Sequence, residues 1–181
     1  LCSVKGKGMT RISVGAAGAE ADGGSYAPSV SADGRYVAFD SEATNLVAGD
    51  TNGRFDVFLL DREDGTLERV SLTDSDGQAN HDSYNAEVAD DGVRPAVFFQ
   101  SFASNLTASD TNGTWDVFLR DWSGTMLCSS NANGDEEGDG SSTLATASDD
   151  GRHYAFESNA TNLVVGDLNG VSDIFHRNRY A

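Results

Sequence analysis

The sequence predicts an all-β chain of three four-stranded antiparallel units in tandem. Three observations predict it. One pattern of about 58 residues occurs three times, apolar residues within each copy alternate with a period of two, and Asp-Gly and Asn-Gly pairs punctuate the runs. Period two is the signature of a strand, and those dipeptides adopt the positive φ that tight hairpin turns need.

The copies read SADGRYVAFDSEATNLVAGDTNGRFDVFLLD over residues 31–61, ADDGVRPAVFFQSFASNLTASDTNGTWDVFLRD over 89–121 and SDDGRHYAFESNATNLVVGDLNGVSDIFHRN over 148–178. Their Asp-Gly turns begin at Asp33, Asp91 and Asp150, spaced by 58 and 59 residues, and their Asp-x-Asn-Gly loops at Asp50, Asp110 and Asp167, spaced by 60 and 57. The slips place insertions in loops. In the first copy the expected strands are Tyr26 to Ser31, Tyr36 to Ser41, Asp56 to Asp61 and Leu67 to Leu72. The Asp33-Gly34 turn, a long loop through Asn45 and Asp50, and the Asp64-Gly65 turn join them. In the second copy two extra residues and Pro95 predict a bulge or an exposed edge in the second strand.

The units span 25–72, 83–130 and 142–181, in one repeat domain over 1–181. LERVSL and MLCSS supply fourth strands to the first two, whereas the third copy runs to Tyr180-Ala181 without one. The fourth-strand pattern reappears ahead of the first copy, at Thr10, Arg11, Ile12, Ser13 and Val14, after an extension over 1–9. This segment, within 10–15, is expected to complete the third unit, either in the same chain or in a neighbouring one. Four antiparallel strands per unit, repeated radially, describe a β-propeller blade.

The SADGRYVAF stretch followed by NLVAGDTNGRFDVFLLD resembles the TolB-type β-propeller repeat, and the resemblance extends from Thr10 to Asn178. It implies the fold and says little of activity, because propellers host many unrelated functions. A closed propeller typically needs four to eight blades. Three units therefore imply a six-bladed ring of two chains, an open head-to-tail fibre in which each first strand is donated to the next chain, or a part of a longer chain.

Twelve Lys plus Arg against 29 Asp plus Glu give a net charge of −17 over 181 residues. That charge disfavours nucleic acid and anionic membrane surfaces, which are held by Lys and Arg. No apolar run approaches the length of a spanning helix, and no signal segment is evident. A chain starting at Leu1 is expected to have lost a leader or to be part of something longer, which fits export to an extracellular, periplasmic or cell-surface location. Cys2 and Cys128 form no metal or redox motif and are a disulfide candidate, Cys2 lying near the strand that would be donated.

The chemical motif is Asp-x-Asn-Gly-x-x-Asp, with oxygen-bearing residues Asp50, Asn52 and Asp56; Asp110, Asn112 and Asp116; and Asp167, Asn169 and Asp173. Oxygens at this spacing around a Gly resemble a shortened calcium loop, completed by waters or carbonyls, and calcium is the expected cofactor. The competing reading is an Asx-type turn without an ion. Asn45, Asn105 and Asn162 are expected to fix the long loop, and Asp135, Glu136, Glu137 and Asp139 to form a solvated acidic loop, with an extra calcium or partner site as the alternative. Trp115 and Trp122 lack Trp counterparts in the other copies and are expected to serve packing.

His81, His153 and His176 are far apart in sequence, and no nucleophile elbow, zinc-protease motif or phosphate loop is present. The expected function is a non-enzymatic, calcium-stabilised extracellular scaffold whose partner is another copy of itself. The alternative is a TolB-like binding module for a protein or cell-wall glycan. A hydrolase stands third, conditional on His153 or His176 meeting carboxylates in a pocket.

Overall fold

The computed structural model describes residues 8–131, 133–134 and 136–180. Eleven strands run β1 (Ser25–Val30), β2 (Tyr36–Ser41), β3 (Asp56–Asp61), β4 (Leu67–Arg69), β5 (Ser83–Asp90), β6 (Pro95–Ser101), β7 (Asp116–Asp121), β8 (Gly124–Leu127), β9 (Ser142–Ala147), β10 (His153–Ser158) and β11 (Asp173–Asn178). They form antiparallel sheets of four, four and three strands, ordered β1-β2-β3-β4, β5-β6-β7-β8 and β11-β10-β9. Each is a meander, as expected from turns that reverse the chain within a few residues. Asp33 shows how: its carboxylate accepts the Arg35 N–H at 2.8 Å and the Ser31 hydroxyl at 2.7 Å. Gly34, at φ +76°, makes the left-handed step that a Cβ would strain.

The inner strands are apolar on both faces because the sheets stack. On β7, Phe118 enters a core with Val57, Leu59, Val97 and Phe99 between the first and second sheets. Val117 and Leu119 enter a second core with Phe98, Tyr154 and Phe156 between the second and third. A third cluster, Phe39, Ala43, Leu46 and Phe58, lies on the far face of the first sheet and is covered in part by Ile12 and Ala21.

Polar links repeat with the stack. The first strand of each sheet carries a left-handed residue, Ala27, Asn85 or Leu144, at φ +45°, +54° and +53°. Asn85 donates its N–H to Asp40 of the first sheet at 3.1 Å, and Leu144 donates its own to Gln100 of the second at 3.0 Å. The backbone N–H of Ser83 reaches Phe55 O, and that of Ser142 reaches Trp115 O.

Three expectations change. Pro95 occupies the first position of β6, opposite Asp90, and the register shifts fall instead in the β1–β2, β5–β6 and β9–β10 pairings. At a strand's first residue a missing N–H costs the ladder little. The fourth strand of the first unit stops at Arg69, since the chain then leaves the ladder and Leu72 forms an isolated bridge with Gln78. Thr10 to Val14 does not complete the third sheet within the chain. Val14 bridges Glu20 and Ile12 packs on the first sheet, at the other end of the stack.

Burial pushes the Asp40 carboxyl above the ordinary range, opposed by the Asn85 N–H. A carboxyl whose folded pKa is raised stabilises below its unfolded pKa, and that contribution is lost as pH rises through the folded value. Asp40→Asn keeps an acceptor and removes the charge, so its melting temperature exceeds the parent's at pH 7 and the gap narrows towards pH 4. Thermal melts across that range check this; a gap that widens on acidification refutes it.

Candidate functional site

Three corners recur where the long loop enters β3, β7 and β11. In each, the Asn closes the turn: its Oδ1 accepts the N–H two residues on, from Arg54 at 3.0 Å, Thr114 at 2.7 Å and Val171 at 3.0 Å. Its amide donates to the second Asp, from Asn52 to Asp56 at 2.9 Å, Asn112 to Asp116 at 2.9 Å and Asn169 to Asp173 at 2.6 Å. Each of these oxygens thus spends an acceptor position on backbone, Asn112 also accepts the Thr114 hydroxyl at 2.9 Å, and the charged oxygens of the corners are those of the carboxylates.

The first corner supplies its own cation. Asp56 is fully buried and Asp50 nearly so, and Arg69 reaches from the end of β4 to lie 3.0 Å from Asp50 Oδ1 and 3.3 Å from Asp56 Oδ2. The same Arg69 Nη1 donates to Gln78 Oε1 at 3.0 Å, and Ser71 donates to Asp56 Oδ1 at 2.5 Å. Burial raises both carboxyls, and the Arg69 charge pulls in the opposite direction.

The second corner has the same frame with different chemistry. Ser129 donates to Asp116 Oδ1 at 2.7 Å, as Ser71 does to Asp56. Leu127 stands where the first corner has Arg69, and Glu137 where it has Gln78. Oxygens of Asp110, Asp116 and Glu137 lie within 4.8 Å of one another. Burial, and then the neighbouring Asp116 and Glu137, raise the Asp110 carboxyl, while burial pushes Asp116 up to about 6. In the third corner Asp167 and Asp173 are half-buried, and among the described residues no fourth strand stands beside β11.

The preceding segment is clamped to each long loop by one repeated set of bonds. The N–H groups of Asp22, Asn80 and Asp139 donate to Asn45, Asn105 and Asn162 at 3.1, 2.9 and 3.0 Å. Those Asn amides donate back to the carbonyls of Glu20, Gln78 and Glu137 at 2.7, 2.9 and 2.8 Å. The bridge Val14–Glu20 likewise matches Leu72–Gln78 and Ser130–Glu137. Residues 10–22 therefore sit on the first sheet as the ends of the first and second units sit on the second and third. By this register Arg11 corresponds to Arg69, Ser13 to Ser71 and Glu20 to Gln78.

His153 Nδ1 lies 3.1 Å from His176 Nε2 on the third sheet, and the rings stack at 5.3 Å with no carboxylate in the pair. His81 packs on Phe102. Cys2 and Asp135 lie outside the described residues. Cys128 is a buried free thiol in the core between the second and third sheets, pushed up to about 12 by burial. Asp139 belongs to the third clamp, where it accepts from Thr161, and Glu137 to the second corner. Trp115 packs against Tyr84 and Phe102, whereas Trp122 is exposed beneath Arg94.

Arg69, Ser71, Ser129 and Glu137 are the corner residues that the motif alone does not reveal. Their signal is the 58-residue offset carried through the fourth strands, which exposes Arg against Leu and Gln against Glu.

No family model and no curated protein matches the chain. Among solved structures it is similar to TolB from Acinetobacter baumannii, at 20% identity and a TM-score of 0.44 over 86% of this chain and 32% of that one. The chain thus spans about a third of that protein's length.

Arg69→Leu strips the cation from two buried carboxylates. Leaving buried charges uncompensated costs about 3–5 kcal/mol, read as a lower urea midpoint at pH 7 in chelator. A loss below about 1 kcal/mol would show that the ion pair does not hold this corner.

Proposed function

We propose that the chain is a non-enzymatic, self-assembling structural module of the β-propeller type, acting outside the cytoplasm, in which each copy completes the next. The observation that carries this reading is the matching register of its two ends. Residues 10–22 are clamped on the first sheet as the trailing end of a unit, and β11 is an edge with Asp167 and Asp173 open beside it. Set against β11 of a second copy, Ser13 meets Asp173 as Ser71 meets Asp56, and Arg11 meets the two carboxylates as Arg69 does. Glu157, which corresponds to Asp40 and Gln100, then faces the left-handed N–H of Ala27. An added strand gains main-chain hydrogen bonds along a bare edge and buries the apolar surface behind it. Ile174, 70% exposed, and Val30, 59% exposed, are end-face counterparts of Val117 and Val88, which the stack buries.

No helix among the described residues is long and apolar enough to cross a membrane. A second reading, a binding module for a protein or glycan, rests on a cavity of about 220 Å³ lined by Arg94, Trp122, Arg179 and Tyr180, where two exposed rings offer stacking surfaces.

Sedimentation of the purified chain tests assembly. The expected mass is two or more times 19.1 kDa, a dimer marking a closed ring and larger species a filament. Among the described residues Arg11 pairs only with exposed Glu20, a contact that contributes little. Arg11→Glu is therefore expected to release folded monomers, Asp173→Arg to do the same, and a mixture of the two to reassociate through the opposed charges. A parent chain that sediments as a folded monomer overturns the proposal.

A further inference from the structure

We propose that the second corner is a binding site for one hard divalent cation of the calcium class, held by Asp110, Asp116 and Glu137 where the first corner holds the guanidinium of Arg69. The first corner shows what the frame is built around. There Arg69 Nη1 sits within 3.0 to 3.3 Å of oxygens from Asp50, Asp56 and Gln78. The second corner keeps both Asp residues and the Ser that orients one of them, deletes the internal cation by placing Leu127 at its origin, and exchanges the neutral amide for Glu137. Among the described residues, two formal negative charges facing one positive become three facing none.

A separate observation marks the ligand. Asp110 is 6% exposed, and among the described residues its Oδ1 is shielded from solvent without a hydrogen-bond partner. A buried carboxylate oxygen left unpaired carries a large desolvation cost, which a cation removes. The spread of 4.8 Å among the carboxylate oxygens is what one ion bridges with bonds of about 2.4 Å on opposite sides.

The remaining carboxylate contacts fix the frame. Asp116 accepts from Ser129 and Asn112, and Glu137 accepts the Thr111 N–H at 2.9 Å and its hydroxyl at 2.9 Å. Three side chains do not fill a shell of six to eight oxygens. The adjoining cavity of about 940 Å³, lined in part by Thr107, Asn112, Leu127 and Glu137, leaves room for water ligands. The first corner, with its own guanidinium, has no vacancy for an ion, so the site count is one per chain at this position rather than one per repeat.

Calorimetric titration of chelator-stripped protein with calcium chloride tests this, alongside thermal melts. The parent is expected to bind, with a melting rise of roughly 5–10 °C at a hundredfold excess over Kd. The double variant Leu127→Arg/Glu137→Gln copies the first corner: it should fold, lose the binding heat and lose the calcium-dependent rise. Arg69→Leu/Gln78→Glu copies the second corner and should add one site to the parent stoichiometry. Absent heat and an unchanged melt in the parent at millimolar calcium overturn the proposal, as does binding that survives intact in a folded Leu127→Arg/Glu137→Gln variant. Assembly is scored separately by mass, so either reading can fail without the other.

Discussion

Stacking of sheets that are apolar on both faces is the constraint from which the rest follows. Phe118 points one way from β7 and Val117 and Leu119 the other, and all three are buried because a neighbouring sheet stands on each side. A sheet of this kind standing alone would leave both faces in water, at about 25 cal/mol per Å² of apolar surface exposed. Each unit needs its neighbours, as repeat architectures generally do. The second sheet has both. The first and third have one each within the chain, which leaves Val30 and Ile174 exposed on the outer faces.

Within that stack the polar groups are there to fix register. A one-residue slip would turn every inward side chain outward, and apolar contact alone resists sliding weakly. The Asn105 and Asn162 clamps and the left-handed N–H groups on Asp40 and Gln100 join one unit to the next, the Asn45 clamp holds residues 20–22 on the first unit, and the serine hydroxyls on Asp56 and Asp116 tie the end of a unit back to its own third strand. A buried carboxylate suits this task, since its charged acceptor makes hydrogen bonds of roughly twice the usual strength. The same charge must then be compensated. Arg69 does so in the first corner, and the second corner has no such residue.

Strands β2 and β3 were legible to the residue because the turn chemistry at their ends is explicit: Asp33-Gly34 opens one and Asn52-Gly53 precedes the other. The three-unit plan followed from the same repeats. The left-handed residues in β1, β5 and β9 were not legible, because Ala, Asn and Leu share no propensity for positive φ; each lies at the bulge where the first strand of a sheet shifts register against the second. Pro95 misled for a related reason, since Pro signals a missing donor but not whether that position needs one. In the corners the motif located Asp110, Asn112 and Asp116 but not the bonds by which the Asn residues close the turn, because an amide oxygen can serve an ion or a turn with equal chemistry. Glu137 was read as part of a solvated acidic run because its counterpart, Gln78, carries no charge to mark the position.

The form of the assembly proposed above would be constrained by the chain itself. A joint between copies made by residues 10–22 on β11 would use the same clamp, the same serine and the same carboxylates as the two joints inside the chain. Equal contacts would imply an equal rotation from one sheet to the next, so a copy-to-copy joint would introduce no new angle. A heterologous contact closes when that rotation divides a full turn and runs on as a filament when it does not. Two copies contribute six units, within the four to eight that closed propellers use. Ring and filament thus differ only in whether the rotation already set by the two internal joints returns the sixth unit to the first.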